Sequence, residues 1–460
     1  MYKFYFNRVK NKYELNELVR MFLPASEYEL VDEEIYSADP DIKLINIPDE
    51  IEDKNEAKRY LFNVLKHYTG FKPDWGILTG VRPVKLAGEI IKETNSIQRT
   101  KEILMNDYYT TEAKADLILK TWGNQQKVIA DLDKRAIAIY IGIPFCPTRC
   151  IYCSFPSNQA DEEAIKDYLK ALYKEIEYVS REVEKKGWYA ESVYIGGGTP
   201  TILSDSDINE LLIKLVSLLD TSKLKEFTVE AGRPDTITYN KLKIIKDFGV
   251  GRICINPQSM KESTLNRIGR NHKPADIVQA FEIAQKVGFD VINADLIAGL
   301  PGEKPKDFID SLTEIIRLRP GNITVHTLAV KRASRLKEED EEYSYNKGNT
   351  VRAMLDEGSS LLEDSGYRPY YLYRQKQMAG NFENVGYSLP GKECIFNIRT
   401  IEDNQTIIAL GAGGISKIWF PEENRIERIP NVSNYKIYID RIDEMIKRKR
   451  DGMFAIEEDV

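Results

Sequence analysis

The sequence predicts an α/β fold: a partial (β/α)6 barrel of the TIM type, with an N-terminal accessory region before it and a C-terminal cap after it. Three observations carry this. From Ala136 to Val330, apolar strand-like runs alternate with amphipathic helical patterns, which is how a parallel sheet with right-handed crossovers is written. Six such units follow in series. The unusual polar residues then fall at the carboxyl ends of the strands, where barrels of this kind collect their chemistry. An open, doubly wound sheet shares the alternation, and the third observation selects the barrel.

The strands read AIAIYIGI from Ala136, SVYIGGG from Ser192, EFTVEAG from Glu226, GRICINP from Gly251, VINADLIAG from Val291 and NITVHTLAV from Asn322. Between them, segments such as EEAIKDYLKALYKEIEYVSREVEKK, DINELLIKLVSLL and PKDFIDSLTEIIRL repeat apolar residues three and four apart, the helical period. Ser204 and Asp207 make a capping pair at the second of these helices. A cysteine loop follows the first strand, Gly196 to Pro200 end the second, Glu230 ends the third and Gln258 the fourth, while Asp295 lies in the fifth and His326 in the sixth. One polar strand end is usually a turn; a succession of them predicts a shared mouth.

We divide the chain at 1–130, 131–335 and 336–460. The first region opens with an alternating run (MYKFYFNRV) and becomes mostly helical through ELNELVRMFL, NEAKRYLFNVLKHY and TTEAKADLILKTW. In ILTGVRPVKLAGEII, Arg82 and Lys85 follow a Gly and suit an anion at a helix start, whereas Pro83 alone suffices to start a helix. The last region opens with a charged stretch (KRASRLKEEDEEYSYNKGNT) that reads as a linker, then a helix, the aromatic run YRPYYLYRQKQMAGN, the Gly-rich ALGAGGISK, and an amphipathic helix whose basic end complements the helix dipole.

Composition narrows the function. With 42% hydrophobic and 30% charged residues among 460, the chain is an ordinary globular protein able to bury a large core. Its net charge of −7, from 65 basic and 72 acidic side chains, argues against a chain-wide nucleic-acid surface. No apolar run is long enough for a membrane span, and the first residues are charged where a signal peptide is apolar. Five Cys without framework spacing suit a reducing compartment, so a cytoplasmic protein is expected.

The run IGIPFCPTRCIYCSF holds Cys146, Cys150 and Cys153. Their spacing supplies three corners of a cubane iron–sulfur cluster and leaves one iron open to a substrate. The alternative is structural zinc, which wants four ligands; no His or fourth Cys lies near the loop, and His67, His272, His326, Cys254 and Cys394 are each alone in their segments. Gly196, Gly197, Gly198, Thr199 and Pro200 let backbone approach a ligand. A phosphate-binding loop would add a Lys and Ser/Thr, which GGGTPT lacks.

With Tyr152 directly before its last Cys, the loop resembles the signature of the radical S-adenosylmethionine (SAM) superfamily. The ordered set YIGIPFCPTRCIYC, YIGGGTPT, TVEAGRP, INPQS, NRIGR and NADLIAGLPG is similar to the oxygen-independent coproporphyrinogen III oxidases or dehydrogenases. The segment from Arg374 through Asn381 to Tyr387 is closest to a Firmicute-type branch. The resemblance implies a [4Fe-4S] cluster on Cys146, Cys150 and Cys153, with one or two SAM molecules. It implies Tyr152 at the adenine side, Tyr140 at the methionine end, and Gly197, Gly198 and Thr199 at the amino acid moiety or a second SAM. Glu230, Gln258, Arg270 and Asp295 match polar positions around SAM, and Ala329 and Ile415 match backbone contacts. Carboxylates suit ribose hydroxyls or an ammonium, and Arg suits a carboxylate.

The implied reaction is oxidative decarboxylation of coproporphyrinogen III propionates to vinyl groups, with a flavodoxin or ferredoxin as electron donor and a monomeric enzyme. Two departures bear on it. Phe155 stands where the best-known oxidases often carry a further Cys. Phe396 stands where haem-chaperone relatives carry a His, and no Tyr-Trp pair follows. A haem-binding protein and a haem-modifying radical methyltransferase are the alternatives. Alternating aromatics with Arg368, Arg374 and Lys376 suit a flat tetrapyrrole edged by carboxylates, but a half-buried strand with snorkelling bases reads the same way and is the preferred reading.

Overall fold

The structure is a computed structural model and describes residues 1–6, 12–31, 43–48, 50–80, 82–130, 133–153, 158–329, 348–375 and 378–455. In the first region β1 (Tyr2–Tyr5), β2 (Tyr28–Val31) and β3 (Lys43–Asn46) form a small parallel sheet in the order β2-β1-β3. Around it lie α1 (Lys12–Phe22), α2 (Lys54–Thr69), α3 (Pro83–Thr94), α4 (Ile97–Asn106) and α5 (Glu112–Ile129). The opening alternation is thus a strand that buries Phe4. Four-residue strands such as β2 and β3 carry too few repeats for a period to show. Pro83 is the first helical residue of α3, and Arg82 and Lys85 pair with Asp403 and Asn424 rather than facing an empty anion site.

β4 (Ala136–Ile143), β5 (Tyr189–Gly197), β6 (Glu226–Glu230), β7 (Arg252–Cys254), β8 (Val291–Ala298) and β9 (Asn322–Thr327) lie side by side in chain order, all parallel. The crossovers run through α6 (Glu162–Lys185), α7 (Asp205–Leu218), α8 (Tyr239–Asp247), α9 (Glu262–Arg267), α10 (Pro274–Val287) and α11 (Pro305–Arg317). α6 buries Ile165, Tyr168, Leu169, Leu172, Ile176, Val179 and Val183, one stripe at helical spacing. At α7 the Ser204 Oγ accepts the Asp207 N–H at 3.1 Å, as the capping pair predicts.

The last region comprises α12 (Gly348–Asp364), β10 (Arg368–Tyr373), β11 (Asn384–Ser388), α13 (Ile395–Glu402), β12 (Ile407–Leu410), β13 (Ile415–Phe420), β14 (Arg425–Pro430), α14 (Tyr435–Asp440) and α15 (Ile442–Lys449). Its strands join the barrel sheet at both edges. β11 runs antiparallel to β9 with β10 outside it, and β12 runs parallel to β4 before β13 and β14 complete an open sheet that is 11-stranded among the described residues. α13 lies across the amino ends of the central strands: Arg399 reaches Glu191 at 3.0 Å, and the Ile395 and Phe396 N–H groups donate to the Glu226 carboxylate.

Buried charges tie the regions together. Glu383 accepts from Trp75 Nε1 at 2.8 Å and Lys114 Nζ at 2.6 Å. Glu175 accepts from Lys449, Asn431, Tyr438 and the Gly411 N–H. A buried carboxylate so supplied is not left unpaired, which is the condition for tolerating it.

Candidate functional site

The carboxyl ends of β4 to β9 surround a cavity of about 360 Å³ that continues down the inside of the partial barrel. Its upper wall is the cysteine loop, held from two sides. The Gly198 N–H donates to the Ile143 carbonyl and the Thr199 N–H to the Phe145 carbonyl, both at 2.8 Å, while the Ile151 N–H reaches the Ile268 carbonyl at 3.1 Å. Gly197 takes φ 116°, open to glycine alone. A Cβ on Gly198 would stand 2.4 Å from the Phe145 oxygen and 2.9 Å from Cys146 Sγ. The glycine run is therefore needed for packing against the cysteine loop, whatever else it contacts.

Cys146, Cys150 and Cys153 all line the cavity. Thr199 Oγ1 donates to Cys146 Sγ at 3.5 Å, yet burial, reinforced by the neighbouring Cys153 and Cys150, pushes the Cys146 thiol up to about 11. Among the described residues no three Cys, His, Asp or Glu side chains converge on a single metal ion. Structural zinc would want a fourth ligand, and the cavity lining offers beside the three cysteines no His or Cys other than His326, Cys254 and Cys394 from distant segments among the described residues.

Beneath the loop the cavity wall is polar. Glu230 accepts the Tyr194 hydroxyl at 2.6 Å and the Gly197 N–H at 3.2 Å. Burial, with Asp295 nearby, raises its carboxyl to about 7. Burial also acts to raise Asp295, but His326, Asn293 and Thr324 outweigh it and its carboxyl lies below the usual range. Arg270 donates to the Asn256 carbonyl at 2.5 Å and the Gly232 carbonyl at 3.2 Å. Its Nε, Gln258 Oε1 and Asn256 Oδ1 are buried without a hydrogen-bond partner among the described residues. Orphaned donors and acceptors on one wall are what a polar ligand would satisfy, so the residues present fit SAM.

Of the residues singled out in the sequence, Tyr140, Tyr152, Gly197, Gly198, Thr199, Glu230, Gln258, Arg270, Asp295 and Ala329 share this cavity with the three cysteines. Ile415 does not: it begins β13, 49% exposed and off the cavity wall. Arg374 is also elsewhere. It is buried, donates to the carbonyls of Leu78 and Asn381, and lies 4.8 Å from the centre of the Trp75 ring, so it joins two regions rather than facing a substrate. Lys376 and Phe155 lie outside the described residues.

Sequence reasoning missed the floor. Asn293 and Thr324 line the cavity two residues before Asp295 and His326, so extending the two-residue strand period would have found them; Arg252 and Cys254, in β7, line it as well. Cys394 and Asn397 also line the cavity, and no local pattern announces this. Cys394 is buried and donates to Glu226 at 3.1 Å.

The comparisons accord with this geometry. The radical SAM superfamily model matches residues 140–315. The oxygen-independent coproporphyrinogen-III oxidase-like protein HemZ of Bacillus subtilis (strain 168) is 38% identical over 401 residues, covering 86% of this chain and 80% of that protein. The heme chaperone HemW of the same organism is 32% identical over 310 residues, covering 66% and 76%. Among solved structures, coproporphyrinogen III oxidase (HemN) from Escherichia coli shares the fold, with a TM-score of 0.56 at 22% identity over 70% of this chain and 72% of that one. A three-cysteine loop at the mouth of a partial barrel, with these relatives, places the chain in the radical SAM superfamily and its oxygen-independent coproporphyrinogen III oxidase-like family, whose cofactors are a [4Fe-4S] cluster and SAM.

Proposed function

We propose that this protein decarboxylates the propionate side chains of coproporphyrinogen III to vinyl groups, giving protoporphyrinogen IX without oxygen. The observation that carries the reading is that one chamber joins the cysteine loop to a wall of aromatic rings: Tyr140, Tyr194, Tyr371 and Tyr373 line the same cavity as the thiols. Flat, electron-rich walls suit a tetrapyrrole. When bound, the cluster and SAM supply a radical that abstracts hydrogen. Each propionate would lose one hydrogen atom from the carbon next to the ring, carbon dioxide, and one electron to an external acceptor.

In this reading Cys146, Cys150 and Cys153 hold the cluster and Arg270 meets the SAM carboxylate. Asp295 accepts the ribose hydroxyls, and Gln258 and Asn256 fill the remaining polar contacts. Tyr140 lies at the methionine end, Tyr152 at the adenine, and Ala329 offers backbone groups. We assign residues 1–130 to an accessory domain, 131–335 to the catalytic barrel and 336–460 to a substrate-side domain. A flavodoxin or ferredoxin would supply electrons to a cytoplasmic monomer; among the described residues no helix is long and apolar enough to cross a membrane.

Haem delivery is the second reading, since HemW is also a relative. Against it, Phe396 is nine-tenths buried and stacks on Tyr194 with ring centres 4.6 Å apart, so a hydrocarbon ring stands where the haem-chaperone relatives carry a histidine. Anaerobic incubation with coproporphyrinogen III, SAM, a reductant and an electron acceptor should yield a vinyl-bearing product, lost in Cys150→Ala. Stoichiometric haem binding with no vinyl product would overturn the assignment, and a methylated tetrapyrrole would replace it with a methyltransferase.

A further inference from the structure

Among the described residues two carboxylates face the cavity, and they are held differently. Both Glu230 oxygens accept from protein donors, the Tyr194 hydroxyl and the Gly197 N–H. Asp295 Oδ1 accepts from Asn293 Nδ2 at 2.8 Å, while its Oδ2 lies 3.6 Å from His326 Nε2, at ion-pair distance. The other ring nitrogen, Nδ1, stands 3.4 Å from the Tyr373 hydroxyl. Tyr373 is itself stacked on Tyr371, with ring centres 6.0 Å apart and planes within 10°. Tyr373, His326 and Asp295 thus form a row from β10 through β9 to β8 along the cavity wall.

We propose that His326, clamped by Tyr373, is a positioning residue that adapts Asp295 to accept the two ribose hydroxyls of SAM. This rests on the reading above in which Asp295 meets the ribose. A free carboxylate serves an ammonium group and a vicinal diol alike. An imidazole beside it changes the balance: the ring lies against Oδ2 and takes up space that an ammonium would need, yet leaves lone pairs of the carboxylate free to accept from O–H groups. The ring also fixes the plane of the carboxylate, which a two-point contact requires. Contact of His326 with a substrate carboxylate is the less favoured role, because both ring nitrogens already face partners.

The test is equilibrium binding, without turnover, to cluster-reconstituted protein of known iron content. Two ligands are compared: SAM, and SAM lacking the ribose 2′ and 3′ hydroxyls. His326→Phe is expected to weaken SAM binding about tenfold, the loss of one charge-assisted contact, and to leave the dideoxy analogue within about twofold. The discrimination between the ligands falls accordingly, and Tyr373→Phe lowers it in the same direction by a smaller factor. Equal weakening of both ligands would mean a merely structural role and overturn the proposal. If Asp295→Asn removes the discrimination while His326→Phe preserves it, the proposal fails and the ribose assignment stands. If Asp295→Asn also preserves it, the ribose assignment falls and takes the proposal with it.

Discussion

Glu230 is a carboxyl kept near neutrality by its surroundings, and its pH behaviour is testable. Burial raises it from 4.5 to about 7. A raised carboxyl favours the folded state fully below its unfolded pKa, and that contribution is lost as pH rises through the folded one. The window is therefore about pH 4.5 to 7, with stability falling as pH rises. Because Glu230 faces a cavity and not solid protein, we expect on the order of 1–3 kcal/mol of this slope to belong to it. Urea midpoints of cluster-free protein across this range should flatten in Glu230→Gln; an unchanged slope would refute the assignment. Glu402, also raised to about 7 by burial, acts with the same sign and remains in the variant. At this scale the sequence was legible where a polar residue ended an apolar run, as with Glu230 and Gln258, or interrupted one, as with Asp295. It was misleading at Arg374, because a cation among aromatics looks the same whether it awaits a carboxylate or is consumed by two backbone carbonyls.

At the scale of elements, the contact between the glycine run after β5 and the cysteine loop makes a sharp prediction. Gly198→Ala forces a Cβ against a backbone oxygen and the Cys146 sulfur, and overpacking of this kind costs about 1–3 kcal/mol. Iron content after anaerobic reconstitution should drop well below wild type. Gly123→Ala, where an added Cβ meets nothing within 4 Å, is the control that should not change it. The six central strands could be read in order because each pairs with the next one along the chain, and successive apolar runs report that directly. β12 could not be placed this way: its partner β4 lies far back in the sequence, and IIALG carries no mark of which edge it will join. The floor made by α13 was hidden for the same reason, since Glu226, Arg399 and Phe396 acquire their meaning only when distant segments meet.

For the whole molecule, the question is how residues 1–130 are tied to the barrel sheet. Arg374 and Glu383, in and beside the strands added after β9, reach back to Leu78, Trp75 and Lys114. Arg374→Met should therefore lower global stability by about 2–4 kcal/mol, through lost charge-assisted hydrogen bonds and orphaned carbonyls. SAM affinity of the folded fraction should stay near wild type. Denaturant unfolding paired with ligand titration separates these outcomes, and a selective loss of affinity at unchanged stability would restore Arg374 to the site.

The position of β12 also fixes when the open edge of β4 is covered during synthesis. β4 carries the cysteine loop at its end, and the strand that covers its outer edge, Ile407–Leu410, is made last among its neighbours. At ribosomal rates the intervening chain takes roughly 15–50 s to appear. Throughout that interval the thiols are already translated while the sheet beside them has an unpaired edge. The edge of the strand that carries the cysteine loop is thus covered only after the rest of the barrel has been made, so the chain must keep that edge from pairing elsewhere until Ile407–Leu410 emerges.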